Sequence, residues 1–161
     1  MATTNETLTL AKALSIKNRL AGRLSQARSN VETYNCVQAG QRDAESVDVR
    51  AELARYRKLQ EALVVLKAAI HQANAPVYQD VLRLGEIKSL VKMLNDLNTK
   101  QGKEANYGGM EFDYDSVIRK PEVLETIRAL EGEIDTIQDR LTQYNASTRI
   151  DVSRDVLDLA R

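Results

Sequence analysis

VRAELARYRKLQEALVVLKAAIHQAN, residues 49–74, is the stretch whose reading decides the fold. Val49, Leu53, Tyr56, Leu59, Leu63, Leu66, Ile70 and Ala73 recur at spacings of three and four, so they line one stripe of an α-helix instead of alternating across a strand. Sustained over the whole stretch, that spacing is the seam of a coiled coil, an apolar row that asks for a partner helix. Ser46 or Asp48 can cap its start by accepting a hydrogen bond from a first-turn amide. Asn74-Ala75-Pro76 ends it, because Pro76 lacks a donor and pushes Ala75 away from helical angles. The pattern predicts a helix over residues 48–73.

The same signature extends in both directions. Upstream, Leu10, Ala13, Lys17, Leu20, Leu24, Ala27, Val31 and Tyr34 predict a first helix over 7–35, with the Lys17 stem lying along the stripe. A polar loop, Ala39 to Asp48, separates the two. Downstream, Val81, Leu84, Ile87, Leu90, Val91, Leu94 and Leu97 predict a third helix over 77–100. It meets the second in a hairpin, the favoured reading, or as one kinked rod. Pro121 suits the first turn of a fourth helix over 121–145, whose seam is Val123, Ile127, Leu130, Ile134, Ile137, Leu141 and Tyr144. Val152, Val156 and Leu159 predict a short final helix over 151–160.

Between the third and fourth helices the period changes. Met110, Phe112 and Tyr114 alternate with Glu111, Asp113 and Asp115, which predicts a strand over 109–115 after a glycine-bearing connection. A strand needs a mate for its backbone groups, and Asn35 to Gly40 is the expected one. The fold class is therefore all-α: an antiparallel four-helix bundle of coiled-coil hairpins with a short two-stranded β-ribbon at one end, in one domain over 1–161.

Charge narrows the partners. The 161 residues carry 23 Lys and Arg against 23 Asp and Glu, which removes the basic footprint of a nucleic-acid binder and leaves little repulsion between copies. Lys12, Lys17, Arg19, Arg23 and Arg28 make the first helix basic, while Glu122, Glu125, Glu131, Glu133, Asp135 and Asp139 make the fourth acidic. The two are expected to lie side by side, within one chain or between chains. That pairing accounts for the basic face of Lys12, Arg19 and Arg23 without a phosphate or lipid ligand.

Candidates for chemistry are few. His71 is the single histidine and Cys36 the single cysteine, too few for the usual zinc set and for an internal disulfide. A Ser-His-Asp site would have to use His71, and no Gly-x-Ser-x-Gly turn accompanies it. Glu111, Asp113 and Asp115 share one side of the predicted strand but lack the spacing of a calcium loop, so they read as a solvated face. Gly108 and Gly109 are not followed by Gly-Lys-Ser/Thr, the phosphate-cradle signature. No catalytic, cofactor or metal residues are assigned. The polar start, the lone thiol and the lack of a long apolar run point to a cytoplasmic chain, which keeps the sequons Asn5-Glu6-Thr7 and Asn145-Ala146-Ser147 from glycosylation.

Three segments carry a family resemblance: Asn35-Cys36-Val37-Gln38-Ala39-Gly40, Ile70-His71-Gln72-Ala73-Asn74, and Ile137-Gln138 through Tyr144-Asn145. In layout the chain resembles the bacterial septicolysin-like family of small helical proteins. It departs from that family at Ala146, where a Trp is expected, and at Val77, where a Thr is expected. The resemblance implies a helical fold and, through the family name, a membrane-active, pore-forming protein. The residues themselves favour another expectation: a non-enzymatic helical protein that self-associates, a homo-oligomer whose other partners are proteins of a larger particle, with no nucleic acid, no membrane and no cofactor. An enzyme would need a site assembled between subunits from Asp, Glu, Arg and Tyr.

Overall fold

The computed structural model of the chain describes residues 5–36, 38, 47–105, 108–109 and 111–161. The protein is mostly α-helical, with two small antiparallel β-ribbons. The elements run β1 (Asn5–Thr9), α1 (Leu10–Tyr34), α2 (Val49–Asn74), α3 (Tyr78–Asp96), β2 (Gly102–Ala105), β3 (Glu111–Tyr114), α4 (Lys120–Ser147), β4 (Arg149–Ser153) and α5 (Arg154–Ala160). A 3-10 turn, Ala75–Val77, separates α2 from α3. The chain divides into two compact units: residues 1–76 with 143–161, and residues 77–142 between them.

In the first unit α1 packs on α2, and the seams expected for both are largely the core. Leu10, Ala13, Leu20 and Ala27 meet Leu59, Leu63, Leu66 and Ile70, joined by Ile150 and Val152 of β4 and by Val156, Leu157 and Ala160 of α5. One position shifts. Ile16 is buried where the seam was drawn through Lys17, which stays at the edge. Of the two candidate caps, Asp48 accepts from the amides of Arg50 and Ala51 at 3.0 and 3.1 Å; Ser46 lies outside the described residues.

Two expectations about strands are corrected. Residues 7–9, assigned to the first helix, belong to β1, and 151–153, assigned to the last helix, belong to β4. These strands pair antiparallel, with Thr7 opposite Asp151 and Leu8 opposite Ile150. The threonine β-propensity of β1 and the alternating burial of Ile150 and Val152 fit a half-buried ribbon. Thr9 then caps α1, accepting from the Lys12 amide at 3.2 Å. The second correction concerns β3, whose mate is β2. Asn35, Cys36 and Gln38 of the expected mate are in no strand, and its residues 37, 39 and 40 lie outside the described residues, as does Met110. A local hairpin closes a short loop and costs less chain entropy than a pairing across the molecule.

In the second unit α3 and α4 run antiparallel. Leu94 packs with Val123 and Ile127, Arg83 bonds Glu133, and the Arg140 guanidinium forks onto Asp80 at 3.0 and 3.1 Å. Glu122 reaches back to the Arg119 amide at 3.3 Å, half of a capping box at the start of α4. Within each unit, several of the charges expected to draw the first and fourth helices together have partners of their own. Arg19 and Arg23 of α1 donate to the carbonyls of Ala160 and Leu159 at 3.5 and 3.2 Å, the negative end of α5, and Glu133 and Arg140 of α4 find α3.

Candidate interaction surface

Each residue singled out for chemistry has a structural place. His71 is exposed in the last turn of α2, and Cys36 is an exposed free thiol just past α1. Glu111 and Asp113 lie on β3 facing Lys103 of β2, which is opposite Asp113 in register and 3.9 Å from the Glu111 carboxylate. Asp115 accepts from the Gln101 amide at 3.0 Å. Glu111 and Asp113 thus share one lysine while Asp115 has a different partner, and among the described residues no group of three His, Cys, Asp or Glu converges on a point. Gly108 and Gly109 have φ of 124° and 77°, where glycine is favoured, in the connection between β2 and β3. Of the sequons, Asn5 is in β1, where the Thr7 hydroxyl donates to Asp151 at 2.6 Å, and Asn145 is in the last turn of α4. Among the described residues no helix is long and apolar enough to cross a membrane.

Two of the three segments that carry the family resemblance meet in the first unit. The Tyr144 hydroxyl donates to the Ala73 carbonyl at 2.7 Å. Ala73 sits in the last turn of α2, so the phenol fastens the end of that helix to the end of α4. The Thr148 carbonyl accepts from the Leu10 amide at 2.8 Å, tying the end of α4 to the start of α1. This arrangement is a structural fastening.

What the geometry offers instead is apolar surface, and it is concentrated in the second unit. Tyr78, Val81, Leu82, Leu90 and Met93 of α3 are exposed, as are Phe112 of β3, Val117 and Ile118 of the next loop, and Leu124 of α4. Val117 is 98% exposed. The cause can be read on α3. Leu94, with Val91 and Leu97, packs toward α4 and Ile87 is buried on the same face, while Tyr78, Leu82 and Met93 fall on the other side. A helix that is apolar on both faces belongs in an interior, and this one has one face in water.

The three-four seam of α3 runs through its inner face and includes Val81 and Leu90, whereas Tyr78, Leu82 and Met93 lie off it. The signal was available as apolar residues off the three-four register. A shallow groove lies at the C-terminal end of the outer face, lined by Ser89, Lys92, Met93, Asp96, Leu97 and Asn98. In the hairpin, Lys100 bonds Glu104 and lies 5.1 Å from the centre of the Tyr114 ring. The Glu104 carboxylate holds the Lys100 ammonium above the ordinary lysine range, and Glu133 does the same for the Arg83 guanidinium. These pairs are exposed and fix local geometry more than they add stability.

No family model, no curated protein and no solved structure matches the chain.

Proposed function

We propose that the chain is a non-enzymatic helical assembly protein of the cytoplasm, one that self-associates and joins other proteins in a larger particle, without nucleic acid, membrane or cofactor as partner. One observation carries this reading. Of the thirteen exposed large hydrophobic residues among the described residues, nine belong to residues 77–142, on a unit that buries only six apolar side chains. Apolar surface gathered in one region marks a place where another protein sits, whereas single exposed leucines scattered over a surface need no explanation. The balanced charge supports it, since copies approach without net repulsion. The pairing of Glu111 with Lys103 and of Asp115 with Gln101, and the exposure of His71 and Cys36, support the non-enzymatic part.

Light scattering on the eluting native protein tests the proposal. A mass of at least two chains of 18.0 kDa is expected, rising with concentration. A single-chain mass up to on the order of 100 µM, beyond the range of most specific transient contacts, overturns self-association. Leakage from dye-loaded vesicles at low protein concentration would overturn the reading in favour of a membrane-active protein.

A further inference from the structure

Beyond assembly, we infer that the first unit holds a binding site for a small organic anion with an apolar tail, an alkyl carboxylate, in the cavity between β1, α1 and α5. Each of these elements brings apolar and charged residues to the cavity at the spacing its own geometry requires. Glu6 and Leu8 are two apart on β1, and Lys12, Ile16 and Arg19 are four and three apart on α1. From α5 come Leu157 and Ala160, three apart, with Arg161 just past the helix end. Leu8, Ile16, Leu157 and Ala160 form an apolar floor, fixed in place by the core cluster to which they belong or against which they pack.

The rim supplies the charge. Arg161 is paired with Asp158, but Lys12 and Arg19 have no carboxylate partner among the described residues. Arg19 donates one N–H to the Ala160 carbonyl at 3.5 Å, which holds its guanidinium at the α5 wall and leaves its other donors for a ligand. Lys12 is exposed, and its flexible stem lets the ammonium reach the same anion. A carboxylate on the Arg19 fork, with its tail laid over Ile16 and Leu157, satisfies both kinds of wall at once.

Size and field narrow the ligand. The cavity measures about 240 Å³, below the range of pockets that enclose drug-sized molecules, so it suits a short chain. Residues 1–76 with 143–161 carry fourteen Lys and Arg against ten Asp and Glu, a basic excess that the zero net charge of the whole chain conceals. That excess draws anions toward this unit. Glu6 is the one carboxylate on the rim, and it disfavours a doubly charged phosphate more than a monoanion.

The test is a chemical-shift titration of the full chain with octanoate, read at the side-chain methyls. A Kd of about 0.1–1 mM is expected for so small a ligand, with shifts at Leu8, Ile16 and Leu157. Octanol lacks the charge and acetate the tail, and each should bind at least about 10-fold more weakly. Lys12→Gln, at an exposed position, should weaken octanoate several-fold and leave the helical circular dichroism intact. Arg19→Gln should weaken it about 10-fold, and Arg19→Lys, which keeps the charge without the fork, should recover only part. Octanol binding as tightly as octanoate would overturn the anion assignment. Shifts confined to the exposed apolar residues of 77–142, or an octanoate affinity unchanged in both the Lys12→Gln and Arg19→Gln chains, would overturn the site. The mass of the native particle is read separately, so failure here leaves the assembly reading standing.

Discussion

The two units of this chain use the same helical alphabet and reach opposite outcomes. The first encloses fifteen buried apolar residues, drawn from two long helices, a strand and a short helix, in one continuous cluster. The second buries six, three of them in a cluster where α3 meets α4, and turns most of its remaining large apolar side chains outward. Both have well-patterned helices. The difference lies in what closes the open side of each helix pair: β4 and α5 lie over α1 and α2, while the second unit has only a two-stranded hairpin, an element of marginal stability in water by itself. A helix pair needs more than its own seam to cover its apolar side chains, and the lesson is that similar three-four patterns can leave very different amounts of apolar surface in water.

Substitutions can break or sharpen this contrast. The largest effect should come from Leu20→Ala, which empties a fully buried position in the first cluster. A loss of about 2–5 kcal/mol is expected. Residue-resolved hydrogen exchange should show the loss in α1, α2 and β4 and leave α3 unchanged. Equal loss of protection in α3 would mean that the two units unfold as one. Next comes Tyr144→Phe, which removes the hydrogen bond to the Ala73 carbonyl but keeps the ring. It should cost about 0.5–1.5 kcal/mol in denaturant unfolding and speed exchange in the last turn of α2.

Val117→Ser should change stability by less than about 0.5 kcal/mol, since the side chain is nearly all in water. A larger loss would mean that Val117 is covered in the native particle. The smallest effect is a matter of pH. Because Glu104 raises the Lys100 pKa, the pairing contributes fully below the ordinary lysine value of 10.5 and is lost as pH rises through the higher folded value. Hairpin chemical shifts should therefore hold steady from neutral pH to about 10 and move only above it.

How much of this was legible from residues alone follows from the range of each interaction. Three-four seams are local, so α1, α2 and α4 could be read from Leu20, Leu63 or Ile127 and their neighbours, and Asp48 and Pro121 marked helix starts from nearby chemistry. The β1–β4 ribbon joins Thr7 to Asp151, and nothing near either residue announces the other. Val152 and Val156, four apart, satisfy a strand period and a helix period equally, which is why residues 151–153 read as helix. The mate of β3 was missed because Gly102-Lys103-Glu104-Ala105 has no strand propensity; its glycine turn and the register of Lys103 with Asp113 make the pairing. Charge counts leave a related gap. Arg19 and Arg23 were counted as partners for carboxylates, and their observed acceptors are backbone carbonyls, which no charge tally includes. The candidate surface was half legible, through Val81 and Leu90, while its outermost residues sat off the register that had been counted.

The pairing of β1 with β4 has a consequence for how the protein is made. During synthesis on the ribosome, Asn5–Thr9 emerges first of the two strands, and its hydrogen-bonding partner Arg149–Ser153 follows only after the whole second unit has been translated. At ordinary elongation speeds that interval lasts on the order of ten seconds. Until it ends, the apolar face of α1 and α2 that α5 will cover stays open to chaperones and to neighbouring nascent chains.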